Sequence, residues 1–463
     1  MLFNSYDFIF LFLLPALFGF WVLKLHRAGV WFLIVASVVF YAQWNLQHLF
    51  ILLGSLVVNY LFALSIERHP GYAKVLLSII LVLNLMPLVY YKYSYFLNMT
   101  DTPLILPLAI SFFTFQQIAF QVDLYYKKIE FFSFKEYMFF ILFFPQLVAG
   151  PIVHYRQVIP QVLHPKWKHF NPTYFSAGVF LFCVGLFKKV VLADSFAVYA
   201  NSAFSHIQEG LSVFEAWIGL FAYSFEIYFD FSGYSDMAIG LGLLFGIRLP
   251  INFYSPYKSR NIIEFWRNWN ITLSNFLRDY IYIPLGGNRV KISRQAVNLL
   301  LTMTIGGIWH GAGWTFILWG FLHGLLLGFV HLFRSHKSAR SYESARSYES
   351  ARSSSGTLLT FLTVTLLWVL FRADDFSSAM HYYSTLFNFK AFHLQPIDKQ
   401  TIFLFATAFV LVWFMKNSSE MIAYHTKHIR VRNWHGAVAG IAFFTALKYM
   451  AVTPAQTFVY FNF

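Results

Sequence analysis

Charged side chains are scarce in this 463-residue chain, where Asp, Glu, Lys and Arg together make up only 12% of the residues. A soluble domain usually carries about 25%. Hydrophobic residues reach 58%, and they form long apolar runs between short polar loops, as membrane-crossing helices do. The composition therefore excludes an ordinary soluble domain and predicts an all-α, polytopic membrane protein.

Cysteine is almost absent as well. The single Cys183 excludes an intrachain disulfide, and the apolar core has no Cys pair, no His-x-x-x-His pattern and no Glu-rich cluster. Those are the usual ligand patterns of metal sites, so we predict that the protein holds no metal. A basic flank and a small-residue cleavage site are missing around residues 8–23, so we interpret this first apolar run as a retained membrane helix.

Acidic residues are the scarcer of the two charge types, 20 against 34 Lys and Arg, which gives a formal net charge of +14. The basic residues lie in short loops between apolar runs. This distribution is typical of cytoplasmic loops and of contact with anionic membrane lipid. No separate basic domain is present to bind nucleic acid, and we predict no nucleic-acid partner.

Runs near the roughly 20 apolar residues that one crossing needs recur along the chain and predict about eleven to thirteen spanning helices. We predict a single membrane domain, 1–463, with N-terminal helices at 1–100, a core at 103–334, a flexible loop at 335–356 and C-terminal helices at 357–463. The loop contains a repeated SARSYE hexapeptide, a low-complexity pattern. Pro145, Gly150 and Pro151 predict a re-entrant or kinked element at 144–153.

Polar chemistry is concentrated in residues 262–324, where His310 lies within the motif GGIWHGAGW and close to the middle of an apolar run. An ionisable side chain there is costly and suggests a functional site. One interpretation is a histidine bonded to backbone at a helix break. The other is a general base that takes a proton from a hydroxyl nucleophile, with Trp309 and Trp314 as walls of the pocket.

Basic residues flank the run that contains His310, at 289–294 and again at 334–340. If both basic loops are cytoplasmic, the segment between them crosses an even number of times. The sequence therefore predicts a two-helix hairpin, with His310 towards its far turn or deep in the membrane.

Other polar residues of the core carry open alternatives. Asn270 is either a helix cap or an amide that orients a reacting carbonyl. His323 is a second candidate base or a structural partner of His310. Asp230 and Asp236 are either interfacial caps and ion-pair partners or the wall of a cavity. Within the polar stretch 250–294 we expect short helices at or dipping into the membrane surface, with Phe265, Trp266 and Trp269 on the apolar side.

Several motifs together resemble those of the membrane-bound O-acyltransferases, most closely the bacterial alginate and peptidoglycan O-acetyltransferases. The resemblance covers about residues 106–373 and rests on these segments: FPQLVAGPIV (144–153), YFDFSGYSD (228–236), FWRxW (265–269), LRDYIYIPLGGNR (277–289) and GIWHGA (307–312). It implies an inner-membrane enzyme with a central tunnel. Acetyl-CoA would donate an acetyl group on the cytoplasmic side, and a hydroxyl at or beyond the outer side would accept it. His310 matches the family's catalytic histidine.

The resemblance implies a division of roles. His310 and Asn270 would be catalytic, although alginate-type members usually have His at the position of Asn270. We expect Lys258, Arg260, Arg267 and Arg278 to bind the donor's phosphates, because Arg forks match phosphate oxygens.

We expect a polysaccharide acceptor of alginate or peptidoglycan type and a separate periplasmic acetyltransferase partner protein, because no hydrolase-like domain is attached. The alternatives are an O-acyltransferase with a protein or lipid acceptor and a transporter or flippase. Broken helices suit the transporter too, but the two halves of the chain show no matching pair of them.

Overall fold

The computed structural model describes residues 1–24, 28–207, 210–338, 354–388, 398–426, 428–453 and 456–459. Over these residues the chain is helical and contains no strand. Lipid offers no hydrogen-bond partners, and a helix satisfies its backbone groups internally. An apolar membrane sequence is therefore expected to be helical. The all-α prediction is confirmed, whereas most of the hexapeptide loop lies outside the described residues.

The α-helices follow one another along the chain with few long loops. In order they are α1 (Leu14–Lys24), α2 (Gly29–Ala42), α3 (Leu46–Arg68), α4 (Ala73–Tyr93), α5 (Ile110–Tyr125), α6 (Phe134–Leu142), α7 (Phe144–Leu147), α8 (Tyr155–Leu163), α9 (Pro172–Phe187), α10 (Asp194–Ser205), α11 (Val213–Leu244), α12 (Ile262–Asn268), α13 (Ile271–Leu277), α14 (Ile292–His310), α15 (Trp314–Ser338), α16 (Ser354–Arg372), α17 (Phe376–Leu386), α18 (Lys399–Phe409), α19 (Ser418–Met421) and α20 (Asn433–Val452). Short π-helical segments at Asp7–Leu13, Lys188–Ala193, Arg278–Tyr282 and Val410–Phe414 extend four of them.

Seven helical stretches of the described residues are long and apolar enough to cross a membrane. They are Asp7–Lys24, Leu46–Arg68, Pro70–Tyr93, Pro172–Ser205, Trp314–Phe333, Ser354–Arg372 and Asn433–Val452. Gly29–Ala42 and Lys399–Phe414 are shorter apolar helices. The multi-pass character is therefore confirmed, while the count of eleven to thirteen crossings stays a prediction. Some predicted crossings fall on helices too short to meet this standard, such as the 14-residue α2.

The chain separates into two compact units. Unit 1 comprises Met1–Val190, Ser232–Ile251 and Ser418–Phe461, and unit 2 comprises Val191–Phe231, Asn252–Asn417 and Asn462–Phe463. The predicted four-part division of one domain stays a prediction.

A broken helix lies at the centre of unit 1, where the prolines of FPQLVAGPIV predict one. Helix α6 ends at Leu142, Phe143 breaks it, and α7 restarts with Pro145 at its beginning. The Gln146 side-chain amide donates to the Phe140 carbonyl over 2.6 Å, within the break. Residues 139–153 are buried in protein, as irregular backbone at membrane depth must be.

Unit 1 also buries a charged pair. The Lys188 ammonium lies 2.6 Å from Asp236 Oδ2, and the Ser418 hydroxyl donates to the same oxygen over 2.5 Å. Asp236 therefore behaves as an ion-pair partner, one of the two roles that the sequence left open, and its partner is a lysine. Because the Lys188 side chain is only 13% exposed, it pairs inside the protein.

We predict that Lys188→Met lowers the free energy of unfolding by about 3–5 kcal/mol, because the substitution leaves a buried carboxylate without its counter-charge. The double variant Lys188→Met/Asp236→Leu should regain most of that loss. Unfolding of the detergent-solubilised protein, followed by circular dichroism, measures both. A Lys188→Met variant as stable as Lys188→Arg would contradict a stabilising role for the pair.

Candidate functional site

Helices α14 and α15 of unit 2 form a hairpin, and His310 is the last residue of the first helix. The predicted pair of helices is thus confirmed, with His310 at the turn. Its side chain is only 4% exposed. A helix end leaves backbone carbonyls without helical partners, so the turn that carries His310 is itself polar.

The two helices approach one another at glycine. A Cβ added at Gly320 would lie 2.4 Å from the Met303 carbonyl oxygen, and one added at Gly307 would lie 2.3 Å from the Phe316 carbonyl oxygen. Only a residue without a side chain permits this contact, as at many helix pairs within membranes. These glycines therefore set the distance between the helices, and with it the position of the turn that carries His310.

Aromatic rings enclose the His310 imidazole. The ring centroids of Trp309, Trp319 and Phe371 lie 4.8, 5.2 and 5.1 Å from that of His310. Trp319 and Phe371 are each 1% exposed. The imidazole therefore lies in an environment that excludes most water, where interactions between charges and dipoles are strong.

The expected pocket walls need one correction. Trp309 packs beside His310 as predicted. Trp314 is 69% exposed, and the second indole beside His310 is that of Trp319. Sequence reasoning missed Trp319, Trp368 and Phe371, since their proximity depends on how α15 and α16 pack. The available signal was the spacing of Trp319 and His323 on one face of α15.

Asn270 occupies the corner between α12 and α13, with φ 41° and ψ 55°, and its side chain makes no capping hydrogen bond. This is the left-handed region, in which most side chains are strained and Asn and His are enriched. Asn270 and the His that the resemblance leads us to expect here both suit this backbone conformation. Asn270 is buried, at 3% exposed, and its side chain is not used to cap α13.

A buried asparagine that the sequence did not single out anchors this corner. The Asn252 carbonyl accepts from the Ile271 backbone N–H over 2.9 Å. The Asn252 side-chain oxygen accepts from the Thr272 N–H and hydroxyl over 3.1 and 2.8 Å. Three hydrogen bonds from one residue leave the first turn of α13 little freedom. Asn252 is a polar residue shortly after Pro250 in an otherwise apolar stretch. That position was the sequence signal from which its role could have been predicted.

A series of contacting aromatic rings connects the Asn270 corner with His310. Trp269, which precedes Asn270, lies 5.1 Å from Trp368, and Trp368 lies 5.9 Å from Trp319. Trp319 in turn contacts His310. The two predicted catalytic residues are therefore attached to the ends of one aromatic series.

The short helices α12 and α13 differ from the interfacial helices that we expect. Phe265, Trp266 and Trp269 are 1%, 9% and 1% exposed, so their rings pack inside unit 2. The expectation that they turn to the apolar side of the membrane is wrong. They contact other aromatic rings of the unit, such as Tyr257 and Trp368, which offer a better-packed apolar environment than lipid.

The four predicted phosphate-binding cations divide into two groups. Lys258 and Arg260 are half-buried and line a cavity of about 1510 Å³ in unit 2, which is otherwise mostly apolar. Lys258 also donates to the Met415 carbonyl over 2.6 Å. Arg267 is exposed outside that cavity. Arg278 is exposed as well and pairs with Asp279 over 2.7 Å.

Metal ligands do not gather in the part of the chain that the structure describes: it has no group of three or more His, Cys, Asp or Glu side chains suited to an ion. The absence of a metal stays a prediction. The side chains described around His310 and Asn270 offer imidazole, amide and indole groups.

Comparison with known proteins identifies a family and several relatives to which this chain is similar. Residues 126–349 match the model of the MBOAT, membrane-bound O-acyltransferase family. A peptidoglycan O-acetyltransferase of Helicobacter pylori is 43% identical, over 82% of this chain and 78% of its own length. A probable alginate O-acetylase, AlgI, of Pseudomonas aeruginosa is 36% identical over 87% and 78%. A teichoic acid D-alanyltransferase of Streptococcus thermophilus is 28% identical over 70% and 81%.

These similarities and the multi-pass helical fold define a membrane-embedded acyltransferase. The chain belongs to the membrane-bound O-acyltransferase family. The predicted resemblance and the predicted enzyme class, an O-acyltransferase of the O-acetyltransferase kind, are both confirmed, which favours the enzyme over a transporter.

The glycine contact between α14 and α15 generates a prediction. Gly320→Ala should lower His310-dependent acyl transfer by roughly tenfold or more, because forced separation of packed helices costs about 1–3 kcal/mol and displaces the turn. Gly313→Ala is the matched control, since its nearest atoms outside the chain neighbours lie at an ordinary 3.6 Å. Transfer is measured in membranes at equal protein level. Equal activity of the two variants would contradict the role of the contact.

Proposed function

We propose that this chain moves an acetyl group from cytoplasmic acetyl-CoA across the inner membrane to hydroxyls of an exported or cell-wall polysaccharide. His310 carries the proposal. Its imidazole is buried among aromatic rings at the turn of a helical hairpin, and it lies in the part of the chain that matches the family model. A buried ionisable group in a membrane protein rarely persists without a function.

In this proposal the His310 imidazole is a general base. It accepts the proton of the acceptor hydroxyl while the hydroxyl oxygen attacks the thioester carbonyl carbon. A carbon–oxygen bond forms, the carbon–sulfur bond breaks, and the CoA thiolate leaves and takes up the proton from the imidazolium. The charges balance at every stage, and no covalent enzyme intermediate is needed.

Asn270 supplies the second polar group. Negative charge develops on the carbonyl oxygen as the hydroxyl attacks, and a fixed amide N–H stabilises that charge. The left-handed corner and the Asn252 hydrogen bonds hold the Asn270 backbone in one conformation. A group that needs no reorganisation is effective in this role.

The donor's phosphates require cations on the cytoplasmic side. We assign phosphate binding to Lys258, Arg260, Arg267 and Arg278. The first two of these line one cavity. The pair is favoured for initial capture, because Arg and Lys near an apolar wall keep a phosphate partly desolvated.

The acceptor in this proposal is a glycan of the alginate or peptidoglycan type, as the names of the relatives suggest. The acetyl group passes either directly or through a separate periplasmic acetyltransferase. An acceptor that is a protein or a lipid is the second candidate, because Asn270 stands where the resemblance leads us to expect His.

The decisive experiment follows radiolabelled acetyl-CoA in inner-membrane vesicles that contain the wild type or His310→Ala, with glycan, protein and lipid extracted separately. We expect label in glycan that falls by roughly 100-fold or more in His310→Ala. Equal yield and equal melting temperature of the two proteins in detergent show that the variant is folded. Label in protein or lipid would favour the second candidate.

Transfer that does not depend on His310 in any fraction would overturn the proposal. The partner is tested in the same assay by reconstituting the purified chain alone with acetyl-CoA and glycan. Full glycan acetylation by the chain alone would remove the partner from the proposal.

A further variant distinguishes the role of the Asn270 backbone conformation from that of its side-chain amide. Asn270→Gly tolerates the left-handed conformation and should remain folded, but it loses the amide and should transfer acetyl about tenfold to 100-fold more slowly. Asn270→His is the matched comparison, because His also accepts this conformation and can donate a hydrogen bond. A fully active Asn270→Gly would show that the position serves only the corner.

A further inference from the structure

The buried hydrogen bond between Trp266 and His323 points to an additional positioning residue. We infer that His323 holds the His310 site together by accepting this bond from α12 while it packs on Trp319, the indole beside His310. The inference rests on the proposed function of His310 and adds to it a residue that does not itself react.

The bond defines the state of the His323 ring. Trp266 Nε1 donates to His323 Nδ1 over 3.2 Å. An indole N–H can only donate, so Nδ1 must present its lone pair, and the proton of the neutral ring is on Nε2. His323 is 0% exposed, and burial in an apolar environment favours that neutral ring. In this form the residue is an acceptor for one particular partner.

The neighbours of His323 exclude contact with a substrate. Its ring lies 4.7 Å from Trp319 and 5.1 Å from Trp266, with interplanar angles of 69° and 86°. Within the described residues its Nε2 is fully covered and has no hydrogen-bond partner. The imidazole is therefore buried beside two indole rings, one of which bonds it through its N–H, and it is not exposed to a substrate.

The hydrogen bond between Trp266 and His323 joins two helices that each lead to a predicted catalytic residue. Trp266 belongs to α12, whose end leads into the Asn270 corner, and His323 belongs to α15, which packs against the helix that ends at His310. Trp319 contacts all three partners, at 5.7 Å from Trp266, 4.7 Å from His323 and 5.2 Å from His310. One hydrogen bond thus fastens the element that carries Asn270 to the wall of His310.

A polar pair is costly in this environment, where two apolar rings would pack without desolvation. Its directional bond offers what apolar packing lacks, a single relative orientation of α12 and α15. Acyl transfer depends on that orientation, because a displacement of about 1 Å between reacting groups can cost 100-fold in rate. The loss should therefore appear in kcat rather than in KM.

The test uses the purified full chain with acetyl-CoA and the acceptor fraction that shows His310-dependent transfer. His323→Leu removes the acceptor and should lower kcat by roughly 10- to 100-fold with KM changed less than about twofold. His323→Asn places a side-chain oxygen near the position of Nδ1 and should retain kcat within about threefold of wild type.

Two further variants complete the design. Trp266→Phe removes the donor, and adding His323→Leu to it should lower kcat by less than about twofold more, since both remove one interaction. His331→Leu is the control on the same helix, because the His331 ring nitrogen bonds only locally, to the Leu327 carbonyl at 2.9 Å. It should leave kcat unchanged. Melting temperatures confirm that each variant is folded.

Each result supports or overturns the inference. A folded His323→Leu with wild-type kcat overturns it, and so does a His323→Asn as slow as His323→Leu. Fully additive losses in the double variant would also overturn the inference. If His323→Leu does not fold, Trp266→Phe and His323→Asn decide alone: a folded Trp266→Phe with wild-type kcat, or a folded His323→Asn slower than Trp266→Phe, would overturn it. Transfer that is independent of His310 would instead contradict the proposed function, so the two failures are distinguishable.

Discussion

The close approach of α14 to α15 is the constraint on which the surroundings of His310 depend. Backbone meets backbone where Gly307 and Gly320 face each other, since Gly307's added Cβ would reach Gly320 Cα at 3.0 Å. Lipid offers helices little hydrophobic reason to associate, so small residues that permit dense packing provide the attraction instead. The packing of α14 against α15 fixes the position of the turn between them, and with it the position of His310.

Aromatic packing extends this constraint beyond the hairpin. Trp319 touches His310, Trp368 touches Trp319, and Trp269 touches Trp368. Large rings interdigitate with few rotamers, so a series of them transmits position better than aliphatic chains would. The high aromatic content, 21% of the residues, is therefore partly explained by the interior of unit 2, besides any role at the membrane interfaces.

The sequence predicted the class of fold and the position of His310 because both depend on local patterns. Long apolar runs specify membrane helices, and basic loops on either side of residues 295–333 specify a hairpin. The FPQLVAGPIV break was predictable for the same reason, since proline acts on its own helix.

What the sequence could not supply were contacts between distant segments. The exposure of Trp314, the burial of Trp266 and the pairing of Asp236 with Lys188 all depend on tertiary packing, and so does the anchoring role of Asn252. A single sequence contains no periodicity that distinguishes an indole facing lipid from one facing another indole. The directions of Trp309 and Trp314 illustrate this, because the same motif carries both and only one is buried.

Tyr257 relates the cation-lined cavity to the aromatic series. It precedes Lys258, its ring lies 5.0 Å from Phe361 in the cavity wall, and it lies 5.9 Å from Trp269. Its hydroxyl donates to the Ser224 carbonyl over 2.7 Å and accepts from the Trp368 indole over 3.2 Å. Under the proposed function, phosphates held at Lys258 would therefore lie next to a residue that is hydrogen-bonded into the same packed series as His310. Donor capture and the reacting groups then share one rigid support, which requires no moving part between them.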